Sequence, residues 1–568
     1  MVAQNKTALL KISTNADPSP QEAYAASELR HYLNLMTCAS FEITSKPDGP
    51  AISIRLDGAL GEDAFTIRTQ GEGIAIAGGR RGVIYGVYAL LEALGCRFFT
   101  PTCEKIPCVP DLPLPHLERA EKPALEYRWH NYKDLARFPR FAVKSRVNGA
   151  LGGISIPQEY GGGMPYAWFV HSFDRDIIPP EAYFDAHPEY FSLVDGERLR
   201  DFSQLCLTNP DVLEITVEKV RAALRKRPEC RLISVSQNDW MNYCECPACA
   251  EIDDREESHA GSLIWFINQV AEQIEEEFPD VVIDTLAYMY TRRPPKNIRP
   301  RHNVCVRLCS IECCFAHSFQ SCTCDENSNF VEDLEAWAKV CDRLYIWDYT
   351  TGFAHYPAPH ANWNALQANM QCFVKNNVKG VFEQACGAHG GSTDLNELRA
   401  YLICKLLWDP DCDIERHKRE FCDYYYGAAA KHILDYIAAL TEKVERDNIH
   451  TGFNNNCDKP YLTDDMLDLY DGFFDRAEQA VLGDALRHAR VAKARLSLRW
   501  VRLKNAQMLR HKIEPEQINQ FYADWRAHGL TRIDEWVSAE TTLRAFLDGK
   551  WRGTEYYRHW ADEGGERL

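Results

Sequence analysis

The chain has 568 residues, of which 45% are hydrophobic and 26% are charged, and these are ordinary values for a globular protein. This length exceeds what one hydrophobic core usually supports, and since domains typically have about 150 residues, we expect roughly three of them. The net charge of −18 argues against nucleic acid or an anionic membrane as a partner, because binding either one requires a basic surface.

The amino-terminal segment, residues 1–13, lacks the long apolar core of a signal peptide, and no later segment contains about 18 uninterrupted apolar residues. We therefore expect a cytoplasmic protein that does not span a membrane. The 22 cysteines are scattered over a large chain without an export signal. This distribution favours reduced, mostly buried thiols.

Residues 1–117 are predicted to form a small α/β domain with amphipathic helices at Gln21–Leu35 and Gly82–Leu94. The run Gly78-Gly79-Arg80-Arg81-Gly82 precedes the second helix and could cradle a phosphate. However, it lacks both the P-loop lysine pattern and the GxGxxG spacing, so a tight turn with close backbone packing is favoured. The proline-rich segment Pro107–Pro115 is predicted to be a linker.

Residues 118–410 alternate short β-branched or aromatic runs with helical stretches, which is typical of parallel strands joined by crossover helices. Eight such runs suit a closed barrel, so the expected fold class is α/β with a central (β/α)8 TIM-like barrel. The third run is the weakest, because residues 155–200 contain little periodic structure and are typical of an elaborated loop. The predicted strands are Leu125–His130, Val147–Gly152, Gln204–Leu207, Arg231–Ser236, Val282–Tyr288, Val304–Cys309, Leu344–Trp347 and Gly380–Phe382.

After Trp408-Asp409-Pro410 the sequence is predicted to be helical, and it includes a long amphipathic stretch around Asp465–Leu503. We assign residues 411–568 to a C-terminal α-helical domain.

The residues that follow each predicted strand are the informative ones, because active sites of such barrels lie at the carboxyl ends of the strands. Glycoside hydrolysis requires one acid to protonate the leaving oxygen and another group to stabilise or attack the oxocarbenium centre. A single acid at a strand end can equally accept hydrogen bonds from a loop, but four acids together favour catalysis. The predicted catalytic residues are Asp239, Asp348, Glu383 and Glu312.

Aromatic and polar residues near the same strand ends are predicted to bind the sugar, because flat rings stack on sugar faces and polar groups bind hydroxyls. The alternative for the aromatic residues and histidines is ordinary core packing. The predicted substrate-binding residues are Asn238, His171, Trp129, Trp240, Tyr290, Trp347, Tyr349 and His355.

Four segments, Ser234–Cys249, Ser310–His317, Leu344–Tyr356 and Gly380–Gln384, together resemble the domain-of-unknown-function 4838 family over about residues 120–410. That family includes glycoside hydrolase family 163, whose members are endo-β-N-acetylglucosaminidases. The segment Gly79–Phe99 is similar to the amino-terminal domains of family 67 α-glucuronidases and family 20 hexosaminidases. The resemblance implies a barrel glycosidase without defining the sugar.

The resemblance also suggests roles. In barrel glycosidases the fourth strand typically ends in the proton donor, often after an asparagine, and Asn238-Asp239 matches this pattern, so Asp239 is the preferred acid. Families 20 and 163 resemble each other in using the substrate's acetamido oxygen as nucleophile, oriented by a carboxylate beside the acid. Here Asn238, Asp348 or Glu312 would have to orient it. Family 67 resembles an inverting arrangement with acids on late strands, which Asp348 and Glu383 match.

The sequence thus predicts a hydrolase, without a cofactor, that cleaves a β-linked N-acetylhexosamine-containing or neutral glycan. One alternative is an α-glucuronidase-like or other exo-glycosidase, for which Arg128, Arg292 or Arg307 would face the mouth of the barrel and bind a uronic acid. A second alternative is a non-catalytic carbohydrate-binding protein. The linkage, the stereochemical outcome and the oligomeric state are left open.

Cys244, Cys246 and Cys249 are spaced closely enough to hold a structural zinc ion, with a fourth ligand from Cys206 or from the Cys309–Cys324 group. The alternative is a set of buried thiols on one turn. No histidine cluster indicates a catalytic metal.

Overall fold

The computed structural model describes residues 1–149, 155–387, 391–509, 511–535 and 538–548. Its N-terminal part contains a six-stranded mixed sheet in the order β10-β6-β7-β5-β3-β4, in which β3, β4, β5 and β7 run parallel. The elements of this part are β1 Ala3–Gln4, β2 Thr7–Ala8, β3 Lys11–Ser13, α1 Pro20–Thr37, β4 Ile43–Thr44, β5 Ala51–Leu56, β6 Phe65–Gln70, β7 Gly73–Gly78, α2 Gly82–Ala93, β8 Arg97–Thr100, β9 Cys103–Lys105 and β10 Glu118–Glu121.

Both helices predicted for this part are present. Helix α1 begins at a capping box in which Ser19 and Glu22 each satisfy the other's backbone amide. Helix α2 is almost entirely buried. The predicted linker Pro107–Pro115 packs on the N-terminal strands, since Val2 donates its backbone amide to the carbonyl of Leu112 at 2.8 Å.

The glycine run before α2 is a tight turn, as the sequence favoured. A Cβ atom on Gly79 would lie 1.5 Å from the carbonyl oxygen of Gly61, and one on Gly82 would lie 2.0 Å from that of Ala64. The glycines are therefore required by backbone packing. Arg81 of this turn forms a buried ion pair with Asp63 at 2.5 Å, so its charge is already neutralised.

The central part is built on six parallel strands in the order β11-β18-β17-β16-β15-β14. The sheet curls into a half-barrel with helices packed against it. The elements are β11 Tyr127–His130, α3 Lys133–Ala136, α4 Pro139–Lys144, α5 Pro180–Tyr183, β12 Leu193–Val194, β13 Glu197–Arg198, α6 Pro210–Lys226, β14 Leu232–Ser234, α7 Pro247–Glu256, α8 Ala260–Glu275, β15 Val282–Ala287, β16 Val304–Cys309, α9 Asp325–Val340, β17 Leu344–Tyr349, α10 Ala365–Lys375 and β18 Val378–Gln384.

Six of the eight predicted strands are present, and the other two differ. The prediction of Gln204–Leu207 as the third barrel strand is wrong: Leu205 pairs antiparallel with Phe191, outside the central sheet. Residues 147–149 of the predicted second strand lack regular strand structure, and residues 150–152 lie outside the described part.

Irregular segments connect the two edge strands of the half-barrel. The amide of Asn148 bonds to the carbonyl of Arg128 on β11, and the amide of Met164 bonds to the carbonyl of Asn148. Tyr166 then forms a parallel bridge with Leu232 on β14. Segments 147–149 and 164–168 thus lie where two further strands were expected. A full (β/α)8 barrel stays a prediction.

The inner face of the half-barrel is filled by aromatic rings around a buried ion pair. Successive side chains of a strand alternate between faces, and Tyr127 and Tyr345 stack on the inner face with ring centroids 5.5 Å apart. The Arg307 guanidinium lies 5.3 Å from each ring and 3.4 Å from Asp284. Both charged side chains are fully buried. The base of the half-barrel is therefore a packed core.

The remaining part is helical, as expected after residue 410. The stretch predicted around Asp465–Leu503 is divided into two helices by a turn before Asp484, whose side chain caps the second one. The domain boundaries stay a prediction. The helices are α11 Asn396–Trp408, α12 Ile414–Tyr425, α13 Ala430–Arg446, α14 Asp464–Ala480, α15 Ala485–Met508, α16 Pro515–Ala527 and α17 Ala539–Leu547. Within the described ranges, no helix combines the length and apolarity needed to cross a membrane.

Candidate active site

Asp239 and Tyr288 meet at the carboxyl ends of two neighbouring strands. Tyr288 directly follows β15, and its hydroxyl donates a 2.8 Å hydrogen bond to Asp239, which lies beyond the end of β14. The Asp239 side chain is otherwise exposed to solvent. Burial of the tyrosine, and then the negative charge of Asp239, raise the pKa of Tyr288, so the phenol stays a hydrogen-bond donor.

The backbone that carries Asp239 is held by Gln204. The Gln204 side-chain amide donates to the carbonyls of Asn238 and Trp240 at 2.9 and 2.7 Å, and its oxygen accepts from the amide of Asn238 at 2.8 Å. The side chain of Asn238 is buried and bonds to Ser203 and Asp174. Asn238 therefore shapes the loop, and its predicted contact with substrate stays untested.

A second carboxyl group, that of Glu535, lies at the carboxyl ends of β17 and β18 and comes from the C-terminal part of the chain. Gln384, the last residue of β18, accepts a hydrogen bond from the Trp347 indole at 2.8 Å and donates its amide to Glu535 at 2.6 Å. The backbone amide of Glu535 also bonds to the carbonyl of Phe353, in the loop that follows β17. Glu535 is thus fixed from two sides.

The electrostatic environment of Glu535 favours its neutral form. Burial is the largest cause and the negative charge of Asp239 is the second, and together they raise the pKa of Glu535 to about 8. Glu535 is therefore protonated at neutral pH. Two acids with different environments at one site are the arrangement that general acid–base catalysis requires.

His171 lies beside this pair. It adopts a left-handed backbone conformation with a φ of 55°, and its amide bonds to the Ser236 hydroxyl at 2.9 Å. Its Nδ1 lies 2.8 Å from the carbonyl oxygen of Gln237, which can only accept, so Nδ1 carries the proton in the neutral ring. The ring centroid is 6.1 Å from that of Tyr288. His171 is thus placed where the sequence predicted, and its role stays a prediction.

The placement predicted for Asp348 and Glu383 at the mouth needs correction. They are paired neighbours on β17 and β18, but their side chains line a small buried pocket together with Ala365 and Asn369 of α10. Trp347 and Gln384, the adjacent residues of the same strands, point to the inner face instead. The two acids therefore lie on the helix side of the sheet.

Burial disfavours the charged forms of both acids in this pair. Burial raises the pKa of Asp348 to about 6, although the Ser310 hydroxyl donates to it at 2.6 Å. Burial and the neighbouring charge of Asp348 raise the pKa of Glu383 well above its usual value. The prediction for these two acids did not take strand parity into account. An acid that ends a strand can face either side of the sheet, because successive side chains point to opposite faces.

Glu312 is exposed, and its negative charge, like that of Asp239, acts on the buried Tyr288. It forms an ion pair with Arg292 at 3.0 Å, and Arg292 also binds Asp333 at 2.8 Å. Its predicted catalytic role stays a prediction.

The aromatic residues that were predicted to stack on the sugar lie in different parts of the structure. Trp347 and Tyr349 lie on the inner face near Gln384, and Trp129 is buried deeper on that face. Trp240 is partly exposed beside Asp239 and packs against Phe202. Trp240 and Trp347 are partly exposed, whereas Trp129 and Tyr349 are buried, so the predicted contacts of these four residues with substrate stay a prediction.

The other two predicted binding residues lie elsewhere, which corrects their placement. Tyr290 packs beside the contacting rings of Tyr243 and His259 in a separate pocket. His355 is buried, with its ring 6.0 Å from that of Trp500 on α15, and burial lowers its pKa to about 3.

The three arginines that would indicate a uronic acid are each paired with a carboxylate. Arg128 faces the N-terminal part, where Asp63 lies 3.4 Å away, and Arg307 is buried with Asp284. Arg292 is bound by Glu312 and Asp333. None of the three presents an unpaired charge at the mouth.

Sequence reasoning missed Tyr288, Gln384 and Glu535 as site residues. Tyr288 ends a predicted strand and Gln384 lies two residues beyond one, so parity along each strand could have identified them. Glu535 had no sequence signal, because only the tertiary fold brings its segment to the half-barrel.

Among the residues that the structure describes, two groups of side chains have the donor atoms of a metal site. Cys206, Cys244, Cys246 and Cys249 form one group, and Cys314, His317, Cys322 and His450 form the other. The four ligand atoms of each group lie within 4.8 Å of one another. All 22 cysteines are free thiols.

Comparison with solved structures shows that the fold is similar to that of a glycoside hydrolase. A family GH115 4-O-methyl-α-glucuronidase, BtGH115A, is 12% identical, with 96% of this chain and 78% of that chain covered and a TM-score of 0.58. A GH138 enzyme targeting pectin rhamnogalacturonan II is 9% identical over 98% and 81% of the two chains, with a TM-score of 0.44. The Streptomyces plicatus N-acetyl-β-hexosaminidase is 13% identical over 73% and 89%, with a TM-score of 0.44.

The sequence matches the family described as "Domain of unknown function (DUF4838)" over residues 98–438, which is more than half of the chain. The protein belongs to this family, which confirms the family resemblance inferred from the sequence. No curated protein matches the sequence.

Proposed function

We propose that this protein is a glycoside hydrolase in which Glu535 donates the proton and Asp239 is its anionic partner. The observation that carries the proposal is the pair of unlike carboxyl groups at one set of strand ends. Glu535 is held neutral by its surroundings, whereas Asp239 is exposed and accepts a hydrogen bond from Tyr288.

The proposed reaction uses both groups in one step. The proton of Glu535 moves to the glycosidic oxygen as the bond from that oxygen to the anomeric carbon breaks. The bonding electron pair leaves with the oxygen, and positive charge develops at the anomeric carbon. Asp239 stabilises that charge or orients the group that attacks it, and Tyr288 fixes the position of its carboxylate. This differs from the role that the sequence suggested for Asp239, which was preferred there as the acid.

The proposed substrate is a neutral or N-acetylated glycan. A uronic acid carries a carboxylate that requires an unpaired cation, and Arg128, Arg292 and Arg307 are all paired. Trp240 and Trp347 are partly exposed and supply rings for stacking on a neutral sugar. A cytoplasmic location stays a prediction.

A panel of aryl glycosides tests the proposal. The panel contains β-N-acetylglucosaminide, β-N-acetylgalactosaminide, neutral hexosides and an α-glucuronide, with release of the phenol as the readout. We expect turnover of an N-acetylated or neutral member, and a loss of about 10²–10⁴-fold in kcat for Glu535→Gln and for Asp239→Asn.

The matched controls are two exposed acids of the same types. Glu540 lies on the surface of α17, and Asp195 lies in the turn between β12 and β13. Glu540→Gln and Asp195→Asn are expected to retain wild-type turnover. Wild-type activity in Glu535→Gln would refute the assignment of the proton donor. Glycan binding with no turnover of any glycoside would instead favour a carbohydrate-binding protein, and turnover of the glucuronide alone would overturn the substrate class.

A further inference from the structure

Four buried thiols converge beside the loop that carries Asp239. Cys206, Cys244, Cys246 and Cys249 are each at most 7% exposed. Their sulfur atoms all lie within 4.8 Å of one another, and Cys206 and Cys246 are 3.6 Å apart. Three residues of this set are neighbours in sequence, and the fold adds Cys206.

These separations fit a tetrahedral zinc ion. A zinc–sulfur bond of about 2.3 Å in tetrahedral geometry places two sulfur atoms roughly 3.8 Å apart. A disulfide requires about 2.05 Å, so the Cys206–Cys246 separation is too long for one. A disulfide also joins only two sulfur atoms, whereas here all four sulfur atoms lie within 4.8 Å of one another.

Hydrogen-bond donors surround the sulfur atoms. The backbone amide of Leu193 and the guanidinium of Arg198 lie 3.4 and 3.8 Å from the sulfur of Cys244. The Thr208 hydroxyl lies 3.2 Å from that of Cys249. Cys246 also caps the N-terminus of α7, where the helix dipole favours negative charge. Four thiolates around Zn²⁺ carry a net negative charge, and donors of this kind compensate it.

We propose that Cys206, Cys244, Cys246 and Cys249 bind a structural zinc ion. All four positions of the tetrahedron are filled by protein, so none is open to water or substrate. The ion would join the segment before α6 to the first turn of α7. Gln204 lies two residues before Cys206 and holds the backbone at Asn238 and Trp240. The proposed ion would thus fix the segment that carries Gln204, and through Gln204 the loop that carries Asp239, from outside the active site.

A separate set of distances supports a second metal site. Its residues are Cys314, His317, Cys322 and His450. The sulfur of Cys314 lies 3.5 Å from Nδ1 of His317, and that of Cys322 lies 3.6 Å from Nδ1 of His450. Zinc bonds of about 2.3 Å to sulfur and 2.05 Å to nitrogen place these atoms roughly 3.6 Å apart. We propose a second structural zinc ion here. It would join the connection after β16 to His450, which follows α13.

Metal analysis of the full-length protein tests both sites. The protein is purified without chelator after growth with zinc, and its metals are counted by inductively coupled plasma mass spectrometry. We expect about two zinc ions per chain, and about one in each of the variants Cys206→Ser/Cys244→Ser and Cys314→Ser/Cys322→Ser. The control Cys230→Ser changes a buried thiol outside both groups and is expected to retain two. A wild-type count near zero overturns both sites, and a count that one double variant leaves unchanged overturns that site.

A measurement on the wild-type chain avoids any failure of the variants to fold. Alkylation followed by peptide mass spectrometry is compared before and after zinc is removed with a chelator. We expect exposed Cys38 and Cys108 to react at once, and the six cysteines of the two groups to react only after zinc removal. Cobalt substitution should also give sulfur-to-cobalt charge-transfer absorption. Peptide masses that show disulfides within a group would refute its zinc site. Neither readout depends on the proposed glycosidase activity.

Discussion

Glu535 accepts a 2.6 Å hydrogen bond from the side-chain amide of Gln384. This contact joins the segment before the last described helix to the end of β18. Through Gln384 it continues to the Trp347 indole, so the position of Glu535 depends on two strands of the half-barrel. A side chain fixed in this way keeps one orientation, as the proposed role of Glu535 as proton donor requires.

The pH dependence of turnover should show an alkaline limb near pH 8. Glu535 has its pKa raised to about 8, so its acid form predominates below that pH and is lost above it. We expect kcat to fall as pH rises through about 8. In Gln384→Met the amide contact is removed, and the limb should shift in pH. Profiles of kcat against pH for both proteins provide the measurement, and a wild-type profile that is flat from pH 7 to 9 would contradict the prediction.

Tyr288→Phe should impair catalysis while leaving the fold intact. The variant removes the hydroxyl that donates to Asp239. A hydrogen bond to a charged group is worth about 1.5–3 kcal/mol, which corresponds to a loss of about 10- to 150-fold in kcat/KM. Tyr290→Phe removes a hydroxyl in the neighbouring pocket and is the control, with near wild-type kinetics expected. Equal losses in the two variants would mean that Tyr288 acts only through packing.

Glu383→Gln should stabilise the protein at alkaline pH. Glu383 and Asp348 have higher pKa values in the folded protein than in the unfolded chain. At a pH between the unfolded and the folded pKa values, the folded protein therefore binds more protons than the unfolded chain. Stability of the wild type therefore falls as pH rises through that range. Glutamine resembles the protonated acid and removes one source of this loss. We expect a higher Tm than wild type at pH 8 and a smaller difference at pH 5, measured by calorimetry. A difference that grows toward acid pH would contradict the inferred sign.

Asp284→Asn should destabilise the half-barrel strongly. Arg307 would remain buried among aromatic rings without its carboxylate partner, and breaking such a pair costs about 3–5 kcal/mol. The control is Asp280→Asn, which breaks an exposed pair with Arg231 near the same strand and should cost about 0–1 kcal/mol. Urea unfolding gives both free energies. Similar losses in the two variants would show that the buried pair contributes little.

Much of the fold could be predicted because strand and helix patterns are local. Six parallel strands, both N-terminal helices and the C-terminal helices follow from periodicity along the chain. The failure at Gln204–Leu207 has a physical cause: a short apolar run does not define its partner, and Leu205 pairs with Phe191 instead.

The candidate site was harder to predict because it depends on side-chain direction and on distant segments. Asp239 and His171 lie at the strand ends as expected, whereas Asp348 and Glu383 face α10. Reading strand parity from Tyr345 and Trp347 would have placed Asp348 on the outer side. Glu535 could not be found in this way, since it depends on contacts with Gln384 and Phe353 across the fold.

The position of Glu535 has a consequence for how members of this family are compared. The family match ends at residue 438, so it includes Asp239 but not Glu535. A fragment trimmed to the matched region would keep the curled sheet and lose the proposed proton donor. Relatives recognised through that region alone can therefore differ in chemistry, and the segment equivalent to residues 531–535 is where an active member would be distinguished from an inactive one.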